Sequence, residues 1–163
     1  ELMSHDKKVE AGRLRLVLEE GLEVRCVSNL FAEQIAESYS YRLAEKHLRR
    51  GRVLIVAGGS GRPYVTHDTA AVMLSLELDC ELTLKASKVD GVYDKDPTHY
   101  KDAEKLDAVS LQSAIENPAI RVMDRAALGL AVEHNVHVVV FDVMQAGNLQ
   151  KIIDGEPVGT KIS

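Results

Sequence analysis

Five consecutive apolar residues, Val53-Leu54-Ile55-Val56-Ala57, run into Gly58-Gly59-Ser60-Gly61, then through Arg62 to Asp68 into a helical stretch from about Thr69 to Leu78. A strand without polar alternation has no side to offer to water, so it belongs in a parallel sheet covered on both faces. A glycine loop between such a strand and a helix is where backbone N–H groups and the helix dipole can meet a phosphate. The loop matches neither the dinucleotide-binding nor the P-loop fingerprint. A tight turn into a helix capped by Thr66 or Asp68 accounts for it equally well.

The remaining chain repeats the alternation of strand and helix. Glu23 to Val27, Leu82 to Leu84, His137 to Phe141 and Val158 to Ile162 read as strands, the third as continuously apolar as the first. Helical spacing is predicted for Ser4 to Glu20, with Val9, Leu14, Val17 and Leu18 on one side and Gly21 at the end. It is predicted again for Phe31 to Arg50, with Ala36, Tyr39, Leu43, Ala44 and Leu48 inward. Shorter helices are expected over Asp107 to Ile115 and Gly147 to Asp154, and a clean amphipathic one is capped by Asp124 and ended by Asn135. This order predicts an α/β fold with helices on both faces of a sheet. At 163 residues, 45% of them hydrophobic, one well-cored domain is expected.

The formal net charge is −5 and no basic run exceeds Arg49-Arg50, which argues against a general nucleic-acid binder. Lys46, His47, Arg49 and Arg50 read as a solvated helix face or as a binding patch. Cys26 and Cys80 lack metal-ligand spacing and are expected to be buried, reduced thiols, as in a cytosolic protein. No apolar run approaches the roughly 18 residues of a membrane span, and no leader opens the chain, so a soluble, cytoplasmic protein is expected. The first residues, Glu1-Leu2-Met3, suit a fragment or part of a longer chain.

Chemistry concentrates in Leu82 to Pro97, LTLKASKVDGVYDKDP, where an apolar strand passes into a charged loop. Ligands of open α/β sheets bind at the carboxyl ends of strands. Lys85 and Lys88 can face a polyphosphate, Asp90-Gly91 is a turn pair, and Tyr93 could lie against a purine. Asp96, extended before Pro97, can accept hydrogen bonds from an amino group or a ribose hydroxyl. The competing reading is a solvated turn whose charges pair with one another.

Five stretches in one order decide between these readings: ESYSYRLAEKHLRRGRV, AGGSGRPYVTHDTAA, LKASKVDGVYDKDP, VMDRAA and GNLQKIIDGEPVGTKI. From about Arg25 onward the sequence resembles the carboxyl-terminal two-thirds of the bacterial UMP kinases (uridylate kinases) of the amino-acid kinase family. The resemblance implies a three-layer αβα sandwich with a mainly parallel sheet. It also implies transfer of the ATP γ-phosphate to UMP with Mg²⁺, giving UDP for pyrimidine nucleotide biosynthesis. By the same resemblance Ser60, Gly61, Arg62, Pro63, Tyr64, Val65, Thr66 and His67 hold UMP, and Ser87, Tyr93 and Asp96 contact ATP. Lys85 and Asp68 fall beside the reacting phosphates, and no side chain is assigned as a metal ligand. A homo-oligomer, a hexamer, with GTP activation and UTP inhibition is suggested too.

Three departures from the family pattern stand out. The family's amino-terminal lysine-bearing strand, GGG loop and ribose-contacting aspartate are absent from the sequence given. Arg62 stands where an asparagine is usual, and His67 where a threonine is usual. Two other readings follow: a non-catalytic nucleotide-binding relative, such as a storage protein of this fold, and a sister kinase acting on a carboxylate or carbamate.

Overall fold

A computed structural model describes residues 9–10, 13–14, 22–32, 34–120 and 122–163. Strands β1 (Val9–Glu10) and β2 (Arg13–Leu14) form a short antiparallel pair. This overturns the helix expected over Ser4 to Glu20 at those four residues; the rest of that stretch lies outside the described residues. Strand β3 (Val24–Ser28) lies between β4 (Glu37–Ser38) and β5 (Val53–Ala57), parallel to both. Helix α1 (Tyr41–Leu48) packs on β5. Helix α2 (His67–Glu77) carries the chain to β6 (Thr83–Ser87), and β7 (Val92–Tyr93) pairs antiparallel with β8 (Lys105–Leu106). Strand β9 (Ala108–Val109), helices α3 (Leu111–Glu116) and α4 (Arg125–His134), strand β10 (Val138–Asp142), helix α5 (Asn148–Ile153) and strand β11 (Thr160–Ile162) follow.

The layers are clearest around β10, in the sheet ordered β6-β10-β11-β9. Strand β10 runs parallel to β6 and antiparallel to β11, which is parallel to β9. Because side chains alternate along a strand, Val138 and Val140 enter one core with Val72 of α2, Ala114 of α3 and Leu128 of α4. Val139 and Phe141 enter a second core with Ile152 of α5. Helices therefore cover both faces of this sheet, giving the αβα arrangement. Burial of each such side chain contributes about 1.5–3 kcal/mol.

Several local expectations are corrected. The helix expected over Phe31 to Arg50 is confined to Tyr41–Leu48, because Glu37–Ser38 pairs with β3 and the Ser40 hydroxyl caps the helix that follows. Tyr39 thus precedes the helix and Leu48 is largely exposed, while Ala44 is fully buried. His47 is no part of a solvated face: it is buried, and the Arg52 guanidinium donates to its Nδ1 at 2.9 Å. Arg49 does lie at the surface, paired with Glu45 at 2.7 Å. Strand β5 is not buried on both faces; Val53 is 36% exposed, and among the described residues only β3 pairs with β5. Cys26 and Cys80 are free, but both are exposed and not buried. The strand after Leu82 begins at Thr83, and the helix expected from Asp107 begins at Leu111, where Ser110 caps it after β9.

Among the described residues no helix is long and apolar enough to cross a membrane.

Candidate functional site

Helix α2 and strand β6 bring Asp68 and Lys85 together. Side chains two residues apart on a strand share a face, and Thr83 and Lys85 both point at α2. The Thr83 hydroxyl donates to Ser75 Oγ at 2.8 Å, two turns along from Asp68. At the other end, Lys85 Nζ donates to both Asp68 oxygens, at 2.8 and 2.7 Å. Asp68 lies in the first turn of α2, where a carboxylate suits the helix dipole. The pair is mostly shielded, with the lysine side chain 25% and the aspartate 14% exposed, so salt screens it little.

A second aspartate ties the start of α2 to the start of α4. Asp124 caps α4 by accepting from the N–H groups of Ala126 and Ala127, at 2.8 and 3.0 Å. The same carboxylate accepts from the hydroxyls of Thr66, which caps α2, and of Thr69. Burial works against its charge, but the donors Thr66, Ala127, Thr69 and Ala126 outweigh burial and hold the carboxyl below the usual carboxylate range. The sequence identifies the cap of α4; the bonds across to α2 have no local signal.

Beside this pair of helix ends lies a cavity of about 470 Å³. Asp68, Lys85, Asp124 and Arg125 line it, facing a wall that includes Ile115, Pro118 and Met123. A smaller cavity, about 160 Å³, is lined by Tyr93, Lys95, Asp96 and Pro97 together with Ala119. Residues 117–120 separate the two: Asn117, Pro118 and Ile120 face the larger, Ala119 the smaller.

The loop around Tyr93 is held from within. Its hydroxyl donates to Asp90 Oδ1 at 2.7 Å, which lowers the Asp90 pKa and raises that of Tyr93. Thr160, fully buried on β11, accepts from the N–H of Val92 at 2.8 Å and donates to Leu106 O at 2.5 Å. A side chain at Gly91 would meet that hydroxyl at 2.5 Å, so the turn requires glycine for space. Asp96 accepts from the N–H and hydroxyl of Thr98, at 2.9 and 2.6 Å, and these bonds hold its carboxyl low. Ser87 ends β6 and its hydroxyl accepts from Val89 N; it does not line the smaller cavity. The charges of this loop pair with one another in part, Lys105 with Asp90 and Lys95 with Asp102, yet a cavity remains beside Tyr93 and Asp96.

The glycine loop is braced from β3. Asn29 donates to Gly59 O, and a Cβ on Gly61 would lie 2.6 Å from Asn29 O. The hydroxyl of Ser60 accepts from Arg62 N at 3.2 Å, and Tyr64 takes a left-handed φ of 64°. Gly61, Arg62, Pro63, Tyr64, Thr66 and His67 are exposed, while Ser60 and Val65 are half-buried. His67 Nε2 lies 3.6 Å from Asp68 Oδ1. Ser60 to Tyr64 line neither cavity described above. Sequence reasoning did not find Asn29, Thr160 or Arg125, whose parts depend on contacts distant along the chain.

Residues 13–142 match the model of the Amino acid kinase family. The chain is similar to the uridylate kinase of Wolinella succinogenes, 46% identical over 136 residues that cover 83% of this chain and 56% of that protein. It is 45% identical to the uridylate kinase of Sulfurovum sp., over 83% of this chain and 57% of that protein. Its fold is similar to the crystal structure of UMP kinase from Bacillus anthracis, with a TM-score of 0.84 and 35% identity over 89% of this chain and 59% of that one. The chain thus spans somewhat over half the length of these relatives, and its strand, glycine loop, helix and charged loop all lie within the matched region: it belongs to the amino acid kinase family.

Proposed function

We propose that the protein, in its full length, transfers the γ-phosphoryl group of ATP to UMP, giving UDP. The observation that carries this reading is the Lys85–Asp68 pair at the edge of a 470 Å³ cavity that adjoins the charged loop of Tyr93 and Asp96. Phosphoryl transfer asks for alignment of donor and acceptor and for balance of charge on the equatorial oxygens. Lys85 neutralises charge at the transferring group. Asp68 holds the lysine extended until phosphate oxygens compete for it. The UMP phosphate is already an anionic nucleophile, so Asp68 need not act as a base. Tyr93 and Asp96 flank the ATP nucleoside, Ser87 stands at the strand end leading to it, and Ser60 to His67 hold UMP.

Mg²⁺ enters with the nucleotide. Asp68 and Asp124, the carboxylates of the larger cavity, are taken up by Lys85 and by the starts of α2 and α4, so such a hard cation would be held mainly by phosphates and water. A single domain, a cytoplasmic location and a homo-hexamer belong to the same reading. Phe31 and Ile35, 87% and 89% exposed, give an apolar surface that assembly could cover. Light scattering should show the oligomer, and a monomer would remove that element.

A coupled assay of the full-length protein with ATP and each of UMP, CMP and AMP tests the reaction. Turnover on UMP at least tenfold above the other acceptors is expected at equal concentrations. Equal use of AMP would overturn the assignment of the acceptor, and no turnover with ATP still bound would favour a non-catalytic relative.

A further inference from the structure

The larger cavity holds a cation for which the reading above has no use. Arg125 is the first residue of α4, is exposed, and lines the cavity with Lys85. A positive charge at that end of a helix opposes the dipole, so the position is unfavourable for α4 itself. Among the described residues no ion pair engages the guanidinium. Among the described residues the other charges of the cavity are already committed. Both oxygens of Asp68 are on Lys85, and Asp124 takes the donors of two helix starts.

The place of the cavity indicates which anion this cation serves. Residues 117–120 line both this cavity and the smaller one beside Tyr93 and Asp96. Ser60 to Tyr64 reach neither cavity. A nucleoside seated beside Tyr93 would pass this shared wall to bring its phosphates into the cavity that Lys85 and Arg125 line.

We infer that Arg125 binds the phosphate chain of the nucleoside triphosphate donor, as a cation that lines the cavity with Lys85 and has no ion-pair partner among the described residues. This rests on the kinase reading proposed above. A guanidinium offers a planar fork to two phosphate oxygens, a geometry that an ammonium reproduces only in charge.

The test is steady-state kinetics on the full-length enzyme, with ATP and UMP varied separately, for Arg125→Gln and Arg125→Lys. The expected result is a rise of about tenfold or more in KM for ATP with Arg125→Gln, a change of less than about threefold in KM for UMP, and partial recovery with Arg125→Lys. A KM for ATP within about twofold of wild type, or a rise confined to UMP, would overturn the inference. Calorimetric titration of MgATP into wild type and Arg125→Gln reads the same contact without turnover. If wild type binds MgATP but does not phosphorylate UMP, the kinase reading fails, while the tenfold loss of MgATP affinity in the variant still decides the arginine. An unchanged melting temperature separates loss of binding from loss of fold.

Discussion

Asp124 shows how one side chain can serve two elements. Four donors from the starts of α2 and α4 converge on its carboxylate, and they hold its pKa low against burial. A carboxyl whose folded pKa is depressed stabilises the fold fully above its unfolded value, near 4, and loses that contribution as pH falls through the folded value. Asp124→Asn should therefore lower stability at pH 7 by about 1–3 kcal/mol and narrow the gap between the stabilities at pH 7 and pH 3. Urea melts of both proteins at the two pH values check this; an unchanged gap would show that the carboxylate is not acting as described. At this scale Lys85 and Asp68 were named together through the family resemblance, and the structure pairs them. Asn29 and Thr160 were not legible, since their bonds reach Gly59 and Val92, 30 and 68 positions away.

Among the elements, the most legible were those whose apolar pattern matches their burial. The HVVVF run became β10, with both faces in cores, and DRAALGLAVEHN became α4, with Asp124 at one end and Asn135 left-handed at the other. The segment from Phe31 to Arg50 was misread because Ala36 and Tyr39 continue the helical spacing of Leu43 and Ala44. Pairing of Glu37–Ser38 with β3, a non-local contact, outweighs that spacing. The β7–β8 pair was hidden by charge, in a stretch whose polar residues read as loop. The hydroxyl of Thr160 on β11 bonds both strands of the pair to the sheet, and Val92 and Leu106 pack on the main core. Thr160→Val, which keeps the shape and removes both bonds, should cost about 1–3 kcal/mol because Val92 N–H loses its buried acceptor. Hydrogen exchange should speed at Val92 and Tyr93 more than in α5; uniform exchange would argue against a local anchor.

For the whole molecule, an acidic chain places a few cations where elements end, Lys85 near the end of β6 and Arg125 at the start of α4. The αβα architecture could be read from the strand runs, and the charged loop after β6 from the motif LKASKVDGVYDKDP. The setting of the glycine loop was not legible, since most of its residues are exposed and it is fixed by Asn29 and by the Thr66–Asp124 bond. The structure ties the helix that follows the glycine loop to the strand that leads into the charged loop through the Lys85–Asp68 pair. Turnover of the full-length protein with ATP and UMP, compared between wild type and Lys85→Ala, tests that junction most directly. The account predicts that kcat falls by about a hundredfold or more while KM for UMP changes less than about threefold. Wild-type-like turnover in Lys85→Ala would contradict it.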